Sequence, residues 1–535
     1  MKRRVLFLGF DAGNKYLIQK WAEEGVLPTM QSLLRRGLKG NTMSLPGVFT
    51  GSTWPSFQTG VNPGRSGFYS WMQLRPGSYD FYRCLTGDQL KREPFWSHLS
   101  RAGRSVTVLD VPLSALTKNL NGVQLVEWGS HDAQYSFVTW PPSLAPEVEA
   151  RFGRHPLRGV CNAERDTQGY VQFRDQLLDG IAAKTKITKH FLKLGDWEFF
   201  AQVFTESHCV GHQCWHIHDP NHPRHDAEQA RAVGDPIKDV YIAIDAAMGE
   251  VLKEVDDDTI VVLLVSHGMG YKYGPQFLLD RILLRLGVAA PATDGPPEPE
   301  PRFRDRFDSP LTWIWQHTPK ALRTLLQPIR EPLRSWMVPE ERARRPTINP
   351  AQGKCFLVEN NYVHGGIRVN LIGREPQGKV APGAELEAFC AQLECDLLDI
   401  VDLDTGKRVV SRVLRTDELY SGKYRDHLPD VLVEWASHAP ISKIRLGSGK
   451  IGEIEGEYRF CRTGDHFPGG MFVALGPGIR KGTLERTVSI MDFAPTFARM
   501  LDVQLEDVDG KPIDELFTPA VHGTEPDKVT REVPA

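Results

Sequence analysis

No stretch of the 535-residue chain reaches the run of about eighteen apolar residues that a membrane-spanning helix needs. The apolar start Val5–Phe10, behind a basic Lys2-Arg3-Arg4, stops at Asp11; it is too short for the apolar core of a signal peptide and predicts a buried first strand instead. The eight cysteines (Cys84, Cys161, Cys209, Cys214, Cys355, Cys390, Cys395 and Cys461) form no CxxC pair. A chain this long builds its core without disulfide staples, so a reducing, cytoplasmic location is expected. Excess charge of one sign is also missing. The 64 Lys and Arg stand against 67 Asp and Glu, a formal net charge of -3. No strong field exists for a nucleic acid polymer or an anionic membrane, so any anion recognition must be local. No internal repeat occurs, and 41% hydrophobic residues exclude global disorder.

What is present is an alternation of short apolar runs with helical patterns, which predicts an α/β fold with a mostly parallel central sheet covered on both faces. The run Val5–Phe10 ends at Asp11, Ser105–Leu109 at Asp110, Glu198–Phe204 at Thr205-Glu206-Ser207-His208, and Ile260–Val265 at Ser266-His267. Ligand sites in such sheets gather at the carboxyl ends of the strands, where these polar residues fall. Between Ala289 and Asn349 the composition shifts to a Pro/Glu stretch, Pro296–Pro301, and a Trp-, Arg- and Leu-rich segment of roughly helical spacing. The expected organisation is a first part of the core over 1–288, a Pro-rich and helical insertion or cap over 289–349, and completion of the core with a late ligand loop over 350–535.

Four segments carry candidate chemistry. In Thr205-Glu-Ser-His208-Cys-Val-Gly-His212, the two histidines are four apart, on one helical face, where their imidazoles can meet one ion; His216 continues that face. By itself such spacing marks a surface cluster more often than a ligand pair, and His218, His222 and His225 lie nearby. Its position directly after an apolar strand favours ligands. His267, at the end of the strand ahead of Gly268-Met-Gly270, is by itself as well explained as a satisfied core histidine. The loop Gly464-Asp465-His466-Phe-Pro-Gly-Gly470 is turn-rich and weak alone. The segment Thr50-Gly-Ser-Thr-Trp54, ahead of Thr59-Gly60 and Asn62-Pro-Gly64, places hydroxyls and free amides where a helix start can meet an anion, although capping alone would account for it.

Together these segments resemble the alkaline-phosphatase superfamily, specifically its type I phosphodiesterase and nucleotide pyrophosphatase branch. Gly366–Gly378, Asp404-Thr-Gly406, Pro429-Asp430 and Gly476-Pro-Gly-Ile479 add to the likeness. The resemblance implies a three-layer alkaline-phosphatase-like sandwich with a cap. It also implies a hydrolase of phosphate-type esters with Thr50 as nucleophile. Asp11 and Thr50 would bind one metal with His267; His208, His212 and His466 would bind another. Phosphorus would be attacked by Thr50, and the phosphothreonine-like intermediate would be hydrolysed by an activated water.

Two departures fall on ligand positions. His208 stands where the family has Asp, which makes a three-imidazole set suited to zinc, with manganese or iron as other divalent candidates. Ser266 stands at another Asp position, and a neutral hydroxyl is a poor ligand for a hard dication. The second metal is therefore expected to be weak unless a nearby carboxylate, Glu206, Asp110 or Asp465, is recruited; Ser266, Asp465 and Glu206 are read as weak or outlying contributors. The expected partner is a small anionic ester. The same residues would serve a group transferase or a sulfate or phosphonate ester hydrolase. A non-catalytic ligand-binding descendant is the alternative of a different class.

Overall fold

Four of the apolar runs become adjacent central strands of one sheet. The computed structural model describes residues 3–84, 90–129, 137–157, 162–292 and 347–517; the segment expected to form a helical insertion lies mostly outside the described residues. The sheet has nine strands: β1 (Arg4–Phe10), β2 (Leu38–Met43), β3 (Val106–Leu109), β4 (Gly122–Val126), β5 (Val138–Trp140), β6 (Phe199–Phe204), β7 (Thr259–Val265), β8 (Gly469–Leu475) and β9 (Gly482–Ser489). Their order is β9-β2-β8-β7-β1-β6-β3-β4-β5. The central four, β7, β1, β6 and β3, are mutually parallel, while β8 runs antiparallel between β2 and β7.

Every residue of β6 and β7 is buried, and so are all but the first of β1, because helices cover both faces. Side chains alternate between two cores. Leu6, Leu8 and Phe10 face one core, with helices α2 (Thr167–Lys193), α3 (Glu206–His218) and α4 (Pro236–Leu252); Val5 and Phe7 face the other, with Phe57 and the helix Phe493–Met500. This is the three-layer arrangement of an α/β sandwich.

Beyond β7 the chain builds a third core around an antiparallel sheet ordered Cys355–Val358, Gly365–Val369, Val431–Trp435, Val410–Arg415, with helix Ala384–Leu398 packed on it. The short strands Ala290–Pro291 and Ile348–Asn349 pair with each other, so the chain leaves and returns at one point. From Gly464 onward it rejoins the main sheet through a ribbon, Gly464–Phe467 against Gly268–Tyr271, and then through β8 and β9. The late loop is thereby placed beside the end of β7.

Candidate metal centre

Because β7, β1, β6 and β3 point the same way, Ser266-His267, Asp11, Thr205–His208 and Asp110 emerge on one edge of the sheet. The ribbon brings the fifth contributor. Met269 pairs with His466 in its register, and the His267 and His466 rings lie 4.5 Å apart, centre to centre. Helix α3 meets this ribbon at a near contact of backbones: a Cβ on Gly464 would stand 2.0 Å from the Gly211 carbonyl oxygen, so only glycine permits the approach. One residue along from Gly211, the His212 Nδ1–H donates to the Gly464 carbonyl at 2.9 Å.

That bond decides which nitrogen of His212 faces inward. With Nδ1 protonated, Nε2 carries the lone pair, and it lies 2.9 Å from His208 Nε2 and 3.0 Å from His466 Nε2. His208 is oriented in the same manner, its Nδ1 donating to Asp11 Oδ2 at 2.8 Å. The lone pairs of His208 and His212 therefore face one another, and positive charge beside them offsets their repulsion. The ligand nitrogens of His208, His212 and His466 all lie within 4.8 Å of one another. Arg462 supplies such a charge: its Nη2, a donor only, lies 2.5 Å from His212 Nε2 and donates to that lone pair. Burial, reinforced by the neighbouring His212, His267 and His208 and by Arg462, holds His466 well below the usual histidine pKa, so it is a neutral donor of electron pairs at neutral pH. The donor set fits a divalent transition metal.

Asp11 is the hub between this cluster and the first strand. Its Oδ1 accepts from Trp54 Nε1 at 2.7 Å and from Ser266 Oγ at 3.2 Å, and its Oδ2 from His208. Burial pushes this carboxyl upward, but His208, His267 and the Trp54 bond outweigh it and hold the group ionised, far below the usual carboxylate range. Ser266 Oγ donates to Asp11, so it accepts from the Ala12 amide at 3.2 Å and from His267 Nδ1 at 3.1 Å. His267 is thereby fixed with its lone pair on Nε2, a fully buried atom with no partner among the described residues. Burial lowers the pKa of His267 against the pull of Asp11.

Thr50 sits in the first turn of helix α1 (Phe49–Thr59) and is its one residue that is not buried. Two contacts tie this turn to the cluster: Trp54, one turn on, bonds Asp11, and the Phe49 ring lies 6.0 Å from that of His267. A Cβ on Gly51 would fall 2.0 Å from the Tyr69 carbonyl and 2.2 Å from Asn361 Nδ2, so the chain beside Thr50 is hemmed in by the Tyr69 backbone and by the loop that carries Asn361.

The three neighbouring carboxylates, Glu206, Asp110 and Asp465, are each paired with a buried lysine. Glu206 Oε1 contacts Lys184 Nζ at 3.2 Å and His155 Nε2 at 3.1 Å, and Asp110 Oδ2 lies 3.4 Å from the same ammonium, all of it buried. Burial opposes these charges, but the pairing wins: Glu206 is held below its usual pKa and Lys184 above. Asp465 Oδ2 takes Lys272 Nζ at 2.5 Å. His216, read as an extension of the histidine face, bonds Thr463 Oγ1 at 3.0 Å outside the cluster, and His218 pairs with Asp235. Sequence reasoning missed Lys184, His155, Lys272 and Arg462. Only Lys184 left a signal: it falls on the apolar stripe Phe173, Leu177, Ile181, Phe191 of α2, where a charge needs a buried partner.

The type I phosphodiesterase / nucleotide pyrophosphatase family matches over residues 5–285. No curated protein matches the chain significantly. Among solved structures, phosphonoacetate hydrolase from Sinorhizobium meliloti 1021 with phosphonoacetate is 14% identical, with a TM-score of 0.51, covering 94% of this chain and 96% of that one. Its complex with phosphonoformate gives 13% and 0.50 over the same coverage. Murine ectonucleotide pyrophosphatase / phosphodiesterase 5 is 11% identical, with a TM-score of 0.47, covering 96% of this chain and 100% of that one. The two hydrolase structures establish a shared alkaline-phosphatase-like fold. No described helix is long and apolar enough to cross a membrane.

Proposed function

Because the chain belongs to the type I phosphodiesterase / nucleotide pyrophosphatase family, a family of phosphoester hydrolases, we propose that it cleaves a small anionic phosphate-type ester with Thr50 as nucleophile beside a divalent metal, zinc first, held by His208, His212 and His466. The observation that carries this reading is the convergence of those three imidazoles, with the His208 and His212 lone pairs turned inward by bonds to Asp11 and Gly464. A divalent ion there would supply the positive charge that lets a threonine hydroxyl ionise near neutral pH and that offsets charge building on the phosphoryl oxygens.

The protein's own groups do the rest. Thr50, half-buried on the first turn of an otherwise buried helix, attacks phosphorus; the ester P–O bond breaks and the leaving group departs with its oxygen; and the resulting phosphothreonine is hydrolysed by water. The Arg462 guanidinium, bonded to His212, would add positive charge for the non-bridging oxygens. The Trp54–Asp11 bond keeps the nucleophile's helix in register with the histidines. The cysteine spacing of the sequence, without a CxxC pair, is the ground for proposing a reducing, cytoplasmic location.

Elemental analysis of protein never exposed to chelator, paired with hydrolysis of an aryl phosphodiester and monoester, tests the reading. Metal at one or more per chain and loss of turnover in a folded, metal-bearing Thr50→Ala variant are expected. Metal well below one per chain, or undiminished turnover by Thr50→Ala, would refute it.

A further inference from the structure

Four imidazoles and one carboxylate surround this centre, whereas two dications would call for several carboxylates to offset their charge. The residues that the family resemblance assigns to a second metal are Asp11, Thr50 and His267, with Ser266 at a position the family fills with Asp. They do not fit a second ion. A carboxylate has about four lone-pair directions. Asp11 already spends three: both on Oδ1, to Trp54 and Ser266, and one on Oδ2, to His208. Ser266 Oγ likewise spends its proton on Asp11 and its acceptor capacity on Ala12 and His267. A second ion could reach His267 Nε2 only with Thr50 and the last direction of Asp11 as company, and it would face the first ion with a single negative charge between them.

The neighbouring acids have their charge already balanced, and Glu206 Oε2 is the one Glu206 oxygen without a hydrogen-bond partner among the described residues. Glu206 and Asp110 share the buried ammonium of Lys184, and Asp465 holds that of Lys272. These lysines are cations built into the chain on either side of the cluster. The contact between Asp11 and His208 has the form of a carboxylate that accepts the outward N–H of a metal-binding histidine, fixing its tautomer and aim while raising its basicity. The substitution that put His at position 208 thus draws Asp11 away from an ion and onto an imidazole.

Resting on the metal-hydrolase reading above, we infer that this chain holds one divalent ion rather than two, and that Asp11 acts as a positioning residue for His208 and Trp54 without touching the ion. Ser266 is the second positioning residue, turning the Nε2 lone pair of His267 inward.

The test is calorimetric titration of chelator-stripped full-length protein with zinc, with elemental analysis after desalting. One ion per chain is expected for the native protein and for Ser266→Ala, which removes the hydroxyl without changing charge. Two are expected for Ser266→Asp. Asp11→Asn, which keeps an acceptor for His208, should still bind one ion at an affinity about 10- to 100-fold lower. Two tight ions in the native protein would overturn the inference and leave the hydrolase reading standing; none would remove both. A stoichiometry below one in folded Ser266→Ala would make the serine a ligand, and unchanged affinity in Asp11→Asn would remove the positioning role.

Discussion

His364 provides a sharp check on the electrostatics around the helix that carries Thr50. The residue is 6% exposed, its ring lies 5.2 Å from that of Phe49, and neither ring nitrogen has a hydrogen-bond partner among the described residues. Burial pushes its pKa down to about 4, with Glu434 and Asp465 pulling upward and Lys272 and Arg412 downward. The fold therefore favours the neutral ring. A depressed histidine contributes stability that is present above its unfolded pKa, about 6.5, and lost as pH falls toward its folded value. Between about pH 7 and about pH 5 the unfolded ring takes up a proton that the folded one refuses, which costs about 2 kcal/mol. For a chain this long unfolding as one unit, that corresponds to about 2 °C in Tm.

His364→Leu, which fills a similar volume with no polar atom, should flatten the pH dependence by that amount. At neutral pH it should be neutral or slightly stabilising, because two unsatisfied buried atoms are removed. Calorimetric scans of both chelator-stripped proteins at the two pH values isolate the difference, since the clustered histidines His208, His212, His267 and His466 contribute equally to each. An unchanged pH dependence in the variant would refute the reasoning, as would a loss of more than about 1 kcal/mol at neutral pH, which would mean the ring nitrogens are satisfied.

Lys184→Met should cost about 3–5 kcal/mol by stranding two buried carboxylates, and adding Glu206→Gln and Asp110→Asn should restore much of it; urea midpoints of the single and triple variants decide, and a single variant as stable as the native protein would show the cluster is not ionised. Gly464→Ala should push α3 off the ribbon, because its Cβ would lie 2.0 Å from the Gly211 oxygen; zinc titration should show affinity weakened at least about tenfold, and unchanged affinity would mean that the approach does not set the His212–His466 geometry.

Much of this centre was legible in the sequence because strand ends and helical spacing are local properties. A run such as Ile260–Val265 that stops at Ser266-His267 places those residues on the sheet's edge, and His208 and His212, four apart, share a face wherever the helix goes. The strands Gly365–Val369 and Val431–Trp435 lie instead in an antiparallel sheet of their own, since strand character does not specify which partner a strand will find. Charge state was out of reach for the same reason. Glu206, Asp110 and Asp465 look in the sequence like spare carboxylates beside the site. Only the packing of α2 against β6, and of Lys272 against the returning loop, gives each a buried lysine, because an ion pair depends on the meeting of side chains from segments that no local pattern connects. The chain's local patterns determined which residues stand at the edge of the sheet, while the tertiary structure decided which of them remain available to a metal.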